Sequence, residues 1–304
     1  EMKHVQSKNS HFRRMSRGDR IFDGIAVFIV TLLTILVILP MLNVVSASFS
    51  APSAVNAGRV VLLPVEATLS NYKTILSYSS VWIGYRNTIL YTIVGTFLNV
   101  ALTMMCAYPL AQRTFSGRKF FSVMFFITMI FSGGMIPSYM LMRDLKLINT
   151  PWAVLLPGAV SVYNMIITRT FIQTIPETIN EAARIDGCSP ARYFFSFVLP
   201  LSKTIIAVIA MYYAVGHWND YFNAFLYLND RNLYPLQLFL REILVNSQFD
   251  SSVMADPEAA KALQGLADTL KYVIIVISTL PLMLIYPFVQ KYFVKGVMIG
   301  SIKG

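Results

Sequence analysis

Charged side chains are scarce in this 304-residue sequence, because Lys, Arg, Asp and Glu together make up only 13% of it. A soluble domain usually carries about 25% charged residues. Cysteine and histidine are rarer still, with two and three residues, and neither type has the spacing of a metal site. The sequence also lacks the Gly-x-x-x-x-Gly-Lys-Ser/Thr loop that cradles nucleotide phosphates. These shortages argue against a soluble domain, a metal centre and a nucleotide hydrolase.

Hydrophobic residues are abundant, at 56% of the sequence. The few charges cluster and leave six charge-free runs, which are residues 24–58, 87–112, 120–142, 147–168, 204–219 and 272–290. A helix that crosses the hydrocarbon layer needs roughly 17–25 apolar residues. Five runs meet that length, and the run at 204–219 continues beyond Asp220 through residues 221–229. We therefore expect an all-α membrane protein with six transmembrane helices. The first run is too long for a cleaved signal peptide.

The basic residues indicate the orientation of these helices. Of the 25 Lys and Arg residues, 15 lie in segments 1–20, 112–119, 173–203 and 291–304, and seven lie in segments 50–85, 142–150 and 227–268. Positive residues are enriched in cytoplasmic segments, so this distribution predicts that both termini are cytoplasmic. It also explains the net charge of +10 without nucleic acid as a partner.

The expected organisation is a single membrane domain, residues 21–294, between a basic cytoplasmic arm, residues 1–20, and a cytoplasmic tail, residues 295–304. Two segments of this domain are long enough to carry structure of their own. One is the inner loop, residues 173–203, and the other is the outer segment, residues 227–268. Short helices are expected at 69–76 and after Tyr234-Pro235. Cys106 in the second run and Cys188 in the inner loop cannot face each other.

The inner loop has the signals of two helices joined by a turn. Thr174 and Glu177 have the spacing of a capping box, which predicts a helix start. Gly187 is placed to end that helix in a left-handed conformation. Ser189-Pro190 then has the form of an N-cap followed by proline in the first helical position. Between these signals, Ala182 and Ala183 are expected to leave one helix face small enough for another protein to approach.

The same loop resembles a known docking motif. The EAA loop of permease subunits in binding-protein-dependent ABC importers has the pattern Glu-Ala-Ala, three residues, Gly, nine residues, Ile, one residue, Leu-Pro. This chain has those residues at those spacings, with Phe197 at the isoleucine position: Glu181-Ala182-Ala183, Gly187 and Leu199-Pro200. Phe197 keeps the position apolar. The loop also lies between the fourth and fifth runs, as in carbohydrate-importer permeases.

The resemblance extends over nearly the whole chain. The glycine-rich run 292–304 and the run 131–137 are similar to the same family. The nearest groups are the aldouronate and oligosaccharide permeases, and more distantly the smaller permease of the maltose importer. The resemblance implies a type I ABC importer permease fold with a cytoplasmic coupling helix pair. The same resemblance implies that the residues that dock the ATPase are Glu181, Ala182, Ala183, Arg184, Asp186, Gly187, Leu199 and Pro200.

The resemblance also implies the partners of such a subunit. A second related permease would complete the pathway, two cytoplasmic ABC ATPases would hold ATP and Mg²⁺, and an extracytoplasmic binding protein would deliver an oligosaccharide. The chain itself would need no cofactor or metal and would have no catalytic site. It would lie among the lipids of a bacterial cytoplasmic membrane.

Two further sets of residues are candidates for the pathway or for a subunit interface. The first is the stretch His217, Trp218, Asn219 and Asp220 in the fifth run, since ionisable groups at membrane depth usually face the bundle interior or water. The second is Gly133, Gly134 and Pro137, which should weaken the third span. A broken helix can line a cavity, and small residues equally permit a close helix crossing.

Other function classes predict other patterns. An ABC importer for amino acids or metals shares the EAA loop, and only the tail and the 131–137 run favour carbohydrate. An ion-driven secondary transporter usually has inverted repeats or more intramembrane charges. A membrane-embedded enzyme would need clustered catalytic side chains at membrane depth, and one His-Trp-Asn-Asp stretch is too little.

Overall fold

The computed structural model describes residues 17–246, 269–287 and 290. Within these residues all regular secondary structure is helical and there is no strand, which confirms the all-α prediction. The glycine-rich tail motif, most of the basic arm and much of the outer segment lie outside the described residues.

Fourteen helices are described, numbered here in chain order. The first seven are α1 (Arg17–Ser48), α2 (Pro52–Asn56), α3 (Ser70–Ser77), α4 (Ser79–Ala111), α5 (Arg118–Ile130), α6 (Met135–Asp144) and α7 (Trp152–Leu155). The others are α8 (Val162–Ile172), α9 (Glu177–Ile185), α10 (Pro190–Leu201), α11 (Lys203–Asn219), α12 (Phe222–Tyr227), α13 (Leu236–Asn246) and α14 (Thr269–Pro287). A 3₁₀ turn at Arg231–Leu233 precedes α13. The short helices expected at 69–76 and after Tyr234-Pro235 are found as α3 and α13.

Three helices, α1, α4 and α14, are long and apolar enough to cross a membrane. Two bent pairs, α5 with α6 and α10 with α11, raise the number of candidate spans to five if each pair is one span. The fourth charge-free run does not form one long helix. It is divided into α7 and α8, and between them Gly158 has a φ of +72°, a left-handed conformation that ends a right-handed helix.

The third run is broken where the glycines predicted a weak point. α5 and α6 differ in direction by 115°, and Gly134 between them has a φ of +88°. The Ser138 hydroxyl donates to the Gly134 carbonyl at 2.8 Å. This carbonyl also accepts from the Ser138 N–H at 3.3 Å, and the Gly134 N–H donates to the Ser132 Oγ at 3.2 Å. Ser132 is therefore a side-chain partner for a backbone N–H at the break.

The described residues divide into two compact units, 17–72 with 269–276 and 73–246 with 277–290. In the first unit, polar side chains near the end of α1 hold the chain that follows α2. The Asn43 amide donates to the carbonyls of Val60 and Val61, and the Ser46 hydroxyl donates to the Leu62 carbonyl. These bonds satisfy the carbonyls of a stretch that has no helical partner of its own.

The second unit is built on α4. A buried apolar cluster joins the C-terminal half of α4 to α8, α9, α10 and α11. From α4 it includes Met104, Ala107 and Leu110, and from α11 it includes Ile209 and Tyr213. The inner loop is thus fixed to the ends of three helices through one continuous core.

A proline in α14 removes one backbone hydrogen bond, and a side chain from α4 replaces it. Pro281 has no N–H, so the Ile277 carbonyl four residues earlier loses its intrahelical donor. The Tyr85 hydroxyl donates to this carbonyl at 2.6 Å. Prolines are tolerated in membrane helices when a neighbouring helix satisfies the freed group, and Tyr85 has that role here.

We predict that Tyr85→Phe lowers the free energy of unfolding by about 1 kcal/mol, since the Ile277 carbonyl is left without a donor. Combining it with Pro281→Ala should reduce this loss, because an alanine at that position restores the intrahelical N–H. Unfolding of the purified chain in mixed detergent micelles measures both. The exposed Tyr163→Phe is the control, and a Tyr85→Phe loss that Pro281→Ala leaves unchanged would contradict the account.

Candidate functional site

The first helix of the inner loop begins at Glu177, two residues later than a capping box with Thr174 as N-cap predicts. The residue before α9 is Pro176, which makes no side-chain cap. The Thr174 hydroxyl instead donates to the Phe171 carbonyl in the last turn of α8, at 2.7 Å. Ile175 precedes Pro176 and is therefore biased away from helical conformation. The new helix cannot start before the proline, so Thr174 stays with the preceding helix. The capping-box prediction is therefore wrong.

The turn after α9 has the geometry that the sequence predicts. Gly187 has a φ of +72°, and its N–H donates to the Arg184 carbonyl at 3.1 Å. The Cys188 N–H donates to the Ala183 carbonyl at 2.9 Å. This pair of bonds is a Schellman motif. Among the described residues, a Cβ at Gly187 would meet no other atom within 4 Å, so there only the backbone conformation calls for glycine.

The second helix of the loop also begins as predicted. The Ser189 Oγ accepts from the Arg192 N–H at 3.3 Å, with proline in the first helical position. The helix then passes through a π-helical turn at Phe194–Val198. Leu199 is half-buried and Pro200 is exposed in its last turn. α11 follows at an angle of 80°, so the loop ends in a sharp elbow.

The two alanines of α9 lie on different faces of the helix, one buried and one exposed. Ala183 is buried in the chain's own core, so the prediction that both alanines form an exposed face is wrong for Ala183. Ala182 is exposed, together with Thr178 and Glu181. Ile185 completes this row at helical spacing, and it is 86% exposed. The outer face of α9 is therefore an exposed row around one apolar side chain.

Sequence reasoning missed Ile185, although an isoleucine at the end of a polar helix was a visible signal. Its neighbours in the same turn, Arg184 and Asp186, are exposed as well. An apolar centre with charged neighbours is a common composition of protein interfaces. The row can therefore bind another protein, while the opposite face holds the loop to the span ends.

A cavity of about 440 Å³ lies between the inner loop and the chain that links α4 to α5. Arg113 approaches Glu177 at 4.0 Å across it, with both side chains largely exposed. The Asn180 amide donates to the Gln112 Oε1 at 3.4 Å. Both contacts are long and exposed, so they connect the two loops weakly.

The His217–Asp220 stretch does not form one cluster. The His217 Nε2 lies 3.1 Å from the Asn99 Nδ2 on α4, and its ring packs directly on Gly95. The Trp218 indole donates to the Ser278 carbonyl of α14 at 2.9 Å. These two side chains therefore connect α11 to two neighbouring helices.

The other two residues of that stretch bond locally. The exposed Asn219 amide donates to the Val215 carbonyl at 2.9 Å. The Asp220 carboxylate accepts from the Asn223 N–H at 3.2 Å and from its side-chain amide at 2.8 Å. Asp220 thus caps the first turn of α12, an arrangement that stabilises the end of a span.

The second set of candidates lies on a different element. Gly133, Gly134 and Pro137 are exposed at the break between α5 and α6. A polar contact that the sequence did not indicate joins three other helices instead. The Tyr213 hydroxyl lies 2.6 Å from the Thr103 Oγ1 and accepts from the Ser161 N–H at 3.0 Å. Their separation in sequence is too great for a local pattern to pair them.

In the described part of the chain no three His, Cys, Asp or Glu side chains lie together as a metal site would require.

Comparison with known proteins identifies this arrangement. Residues 9–299 match the family described as "Binding-protein-dependent transport system inner membrane component". The chain is 37% identical over 289 residues to the polygalacturonan/rhamnogalacturonan transport system permease protein YtcP of Bacillus subtilis (strain 168), covering 94% of this chain and 99% of that protein. It is 38% identical over 295 residues to Protein LplC of the same organism, covering 97% and 99%.

A solved structure agrees with these relatives. A chain in the crystal structure of a bacterial ABC transporter involved in the import of the acidic polysaccharide alginate matches with a TM-score of 0.82 and 33% identity. The match covers 92% of this chain and 99% of that chain. The fold is therefore that of a type I ABC permease, and the chain belongs to the family of binding-protein-dependent transport system inner membrane components.

Proposed function

We propose that this chain forms half of the translocation pathway of an ATP-driven importer for oligosaccharides or polysaccharide fragments. The observation that carries the proposal is the inner loop, whose exposed row at Thr178, Glu181, Ala182 and Ile185 backs onto a core shared with three helices. The carbohydrate class is supported by the relatives, since one is named for polygalacturonan and rhamnogalacturonan and the solved transporter imports alginate.

The inner loop is proposed to dock a cytoplasmic ATPase. The residues assigned to this docking are Glu181, Ala182, Ala183, Arg184, Asp186, Gly187, Leu199 and Pro200, to which we add Ile185. Ala183 acts from the inner side, because it fixes α9 to the core rather than contacting a partner. A displacement of the docked loop would then be transmitted to α4, α8 and α11.

The proposed topology has six spans with both termini in the cytoplasm. α7, α8 and the residues between them would form the fourth crossing, and α5 with α6 would form the third. The distribution of Lys and Arg supports this orientation. The 80° elbow between α10 and α11 would then lie at the cytoplasmic surface.

The proposed complex contains a second related permease, two ATPases that hold ATP and Mg²⁺, and an extracytoplasmic binding protein. Transport would follow alternating access, in which ATP binding closes the ATPases and the two permeases rock against each other. ATP can shift that equilibrium only by binding one arrangement more tightly than the other. The exposed row of α9 supplies a surface on which such a difference can act.

Reconstitution tests the proposal as a whole. This chain, purified in mild detergent, should bring a second permease and an ATPase with it. In liposomes the complex should take up oligosaccharide only with ATP and the binding protein. Uptake by the chain alone, driven by an ion gradient, would favour a secondary transporter. ATP-dependent uptake of a non-sugar solute would support the importer function but contradict the carbohydrate substrate.

We predict that Gly187→Asn reduces ATPase copurification at least about tenfold. Asparagine tolerates the left-handed conformation, and among the described residues a Cβ at this position meets no atom within 4 Å. The turn should therefore keep its conformation, while the added side chain obstructs the ATPase. Gly158→Asn is the matched control, because Gly158 also has a φ of +72° and equal space around it. A Gly187→Asn complex with its full ATPase content would count against docking at this turn.

We predict that Asp220→Asn leaves uptake near the wild-type rate, because an amide oxygen still accepts from the Asn223 N–H. Asp220→Ala removes this cap and should lower the free energy of unfolding by about 1 kcal/mol. Uptake assays and unfolding in micelles measure the two effects. If the assembled Asp220→Asn complex is stable yet does not transport, the carboxylate acts on the pathway itself.

A further inference from the structure

Four polar side chains hold the beginning of the outer segment, and we call them the outer clasp: Asn87, Thr88 and Tyr91 on α4, and Asn149 before α7. The Asn87 amide donates to the carbonyls of Asn232 and Tyr234, at 2.7 and 3.0 Å. This single amide therefore fixes two carbonyls on either side of Leu233, in the stretch that leads into α13.

The other two α4 side chains of the clasp bond to the backbone of Leu233 and Leu236. The Tyr91 hydroxyl donates to the Leu233 carbonyl at 2.8 Å, and the Thr88 Oγ1 accepts from the Leu236 N–H at 2.8 Å. At Gly84, on the same face of α4, an added Cβ would lie 3.0 Å from the Leu236 Cα. Backbone and helix thus meet at van der Waals distance as well as through hydrogen bonds.

Asn149 holds the same segment from the opposite direction. Its Oδ1 accepts from the N–H groups of Asn229 and Asp230 at 2.9 and 2.8 Å, and its own N–H donates to the Tyr227 carbonyl at 2.8 Å. Asn149 has a φ of +60°, a left-handed conformation that asparagine tolerates well. The conformation and the side-chain bonds of Asn149 therefore favour each other.

Every partner of the clasp on the outer segment is a backbone atom. The clasp fixes the path of the chain and leaves the side chains of residues 229–232 exposed. Arg231 remains largely exposed, 3.6 Å from Glu242, and the Arg241 guanidinium lies 4.2 Å from the Phe225 ring centroid. A fixed backbone with exposed polar and charged side chains is suited to recognising another protein.

The three clasp side chains on α4 are buried rather than at the surface. Asn87, Thr88 and Tyr91 are 3%, 0% and 5% exposed. Buried polar groups are costly unless bonded, and apolar side chains could fill the same volume. A fully bonded polar network specifies one geometry, which an apolar contact does not.

The helix that carries the clasp also reaches the inner loop. α4 is a single helix of 33 residues, which is roughly 50 Å at 1.5 Å per residue. The clasp occupies its N-terminal half, and Met104 to Ala111 at its other end share a core with Ala183 and Tyr193 of the inner loop. One helix thus contacts both the outer segment and the proposed docking loop.

We propose that the outer clasp positions the start of the outer segment, residues 227–236, for the binding protein and makes α4 the link between binding-protein docking and the ATPase. This inference rests on the proposed function. A loosened clasp would populate the docking-competent geometry less, so the apparent affinity for the binding protein would fall by the same fraction. At a saturating concentration of binding protein, the ATPase rate would still reach its normal value.

The test measures ATPase activity of the reconstituted complex against the concentration of sugar-loaded binding protein. Thr88→Val combined with Tyr91→Phe removes two bonds without changing shape, and should raise the half-saturating concentration about tenfold. ATPase activity without binding protein and the maximal stimulated rate should stay unchanged. Thr88→Ser keeps the hydroxyl and is the conservative control.

A second variant avoids any effect on the fold of a span. Asn149 is exposed outside the long helices, and Asn149→Gly keeps the left-handed conformation while removing the acceptor. It should raise the half-saturating concentration, whereas Asn149→Asp, which keeps an acceptor, should not. If the wild-type complex responds to the binding protein and all variants have the same half-saturating concentration as the wild type, the role of the clasp is wrong and the proposed function stands. A wild-type complex that ignores the binding protein would overturn the proposed function, and the docking role with it.

Discussion

The structure depends on the requirement that every backbone N–H and C=O at membrane depth finds a partner. At two places where helical hydrogen bonding is interrupted, a side chain from a neighbouring helix supplies that partner. The Tyr85 hydroxyl serves the Ile277 carbonyl above Pro281, and the Tyr213 hydroxyl accepts from the Ser161 N–H at the start of α8. These two irregular stretches are therefore tied to particular interhelical contacts, whereas the break at Gly134 is bonded by the nearby Ser132 and Ser138.

This requirement explains why α4 has a mixed character. Its residues lie largely in one charge-free run, which predicts an ordinary apolar span. Yet Asn87, Thr88, Asn99 and Thr103 are buried along it, each beside a residue of another element. Lipid is as apolar as a leucine side chain, so apolar burial alone gives membrane helices little reason to choose one contact over another. The polar side chains provide that choice.

The sequence predicted features whose causes are local. The left-handed turn at Gly187 and the cap at Ser189 follow from two or three neighbouring residues, and both are found. Thr174 was assigned to the wrong helix because Pro176 separates it from α9. The burial of Ala183 depends on how helices pack, and so does the pairing of Asn87 with residues 145 and 147 positions away in sequence. A single sequence without its relatives carries no pattern that pairs such distant residues.

The two ends of α4 set a condition on any rocking motion. A helix that is clasped to the outer segment and embedded in the core of the inner loop cannot slide past either without breaking several bonds or exposing apolar surface. Packed interfaces usually switch between discrete arrangements rather than deform continuously. α4 should therefore move together with the outer segment and the inner loop as one body, and the change of access must occur at surfaces that this body does not include. In the proposed complex, the contact with a second permease is such a surface.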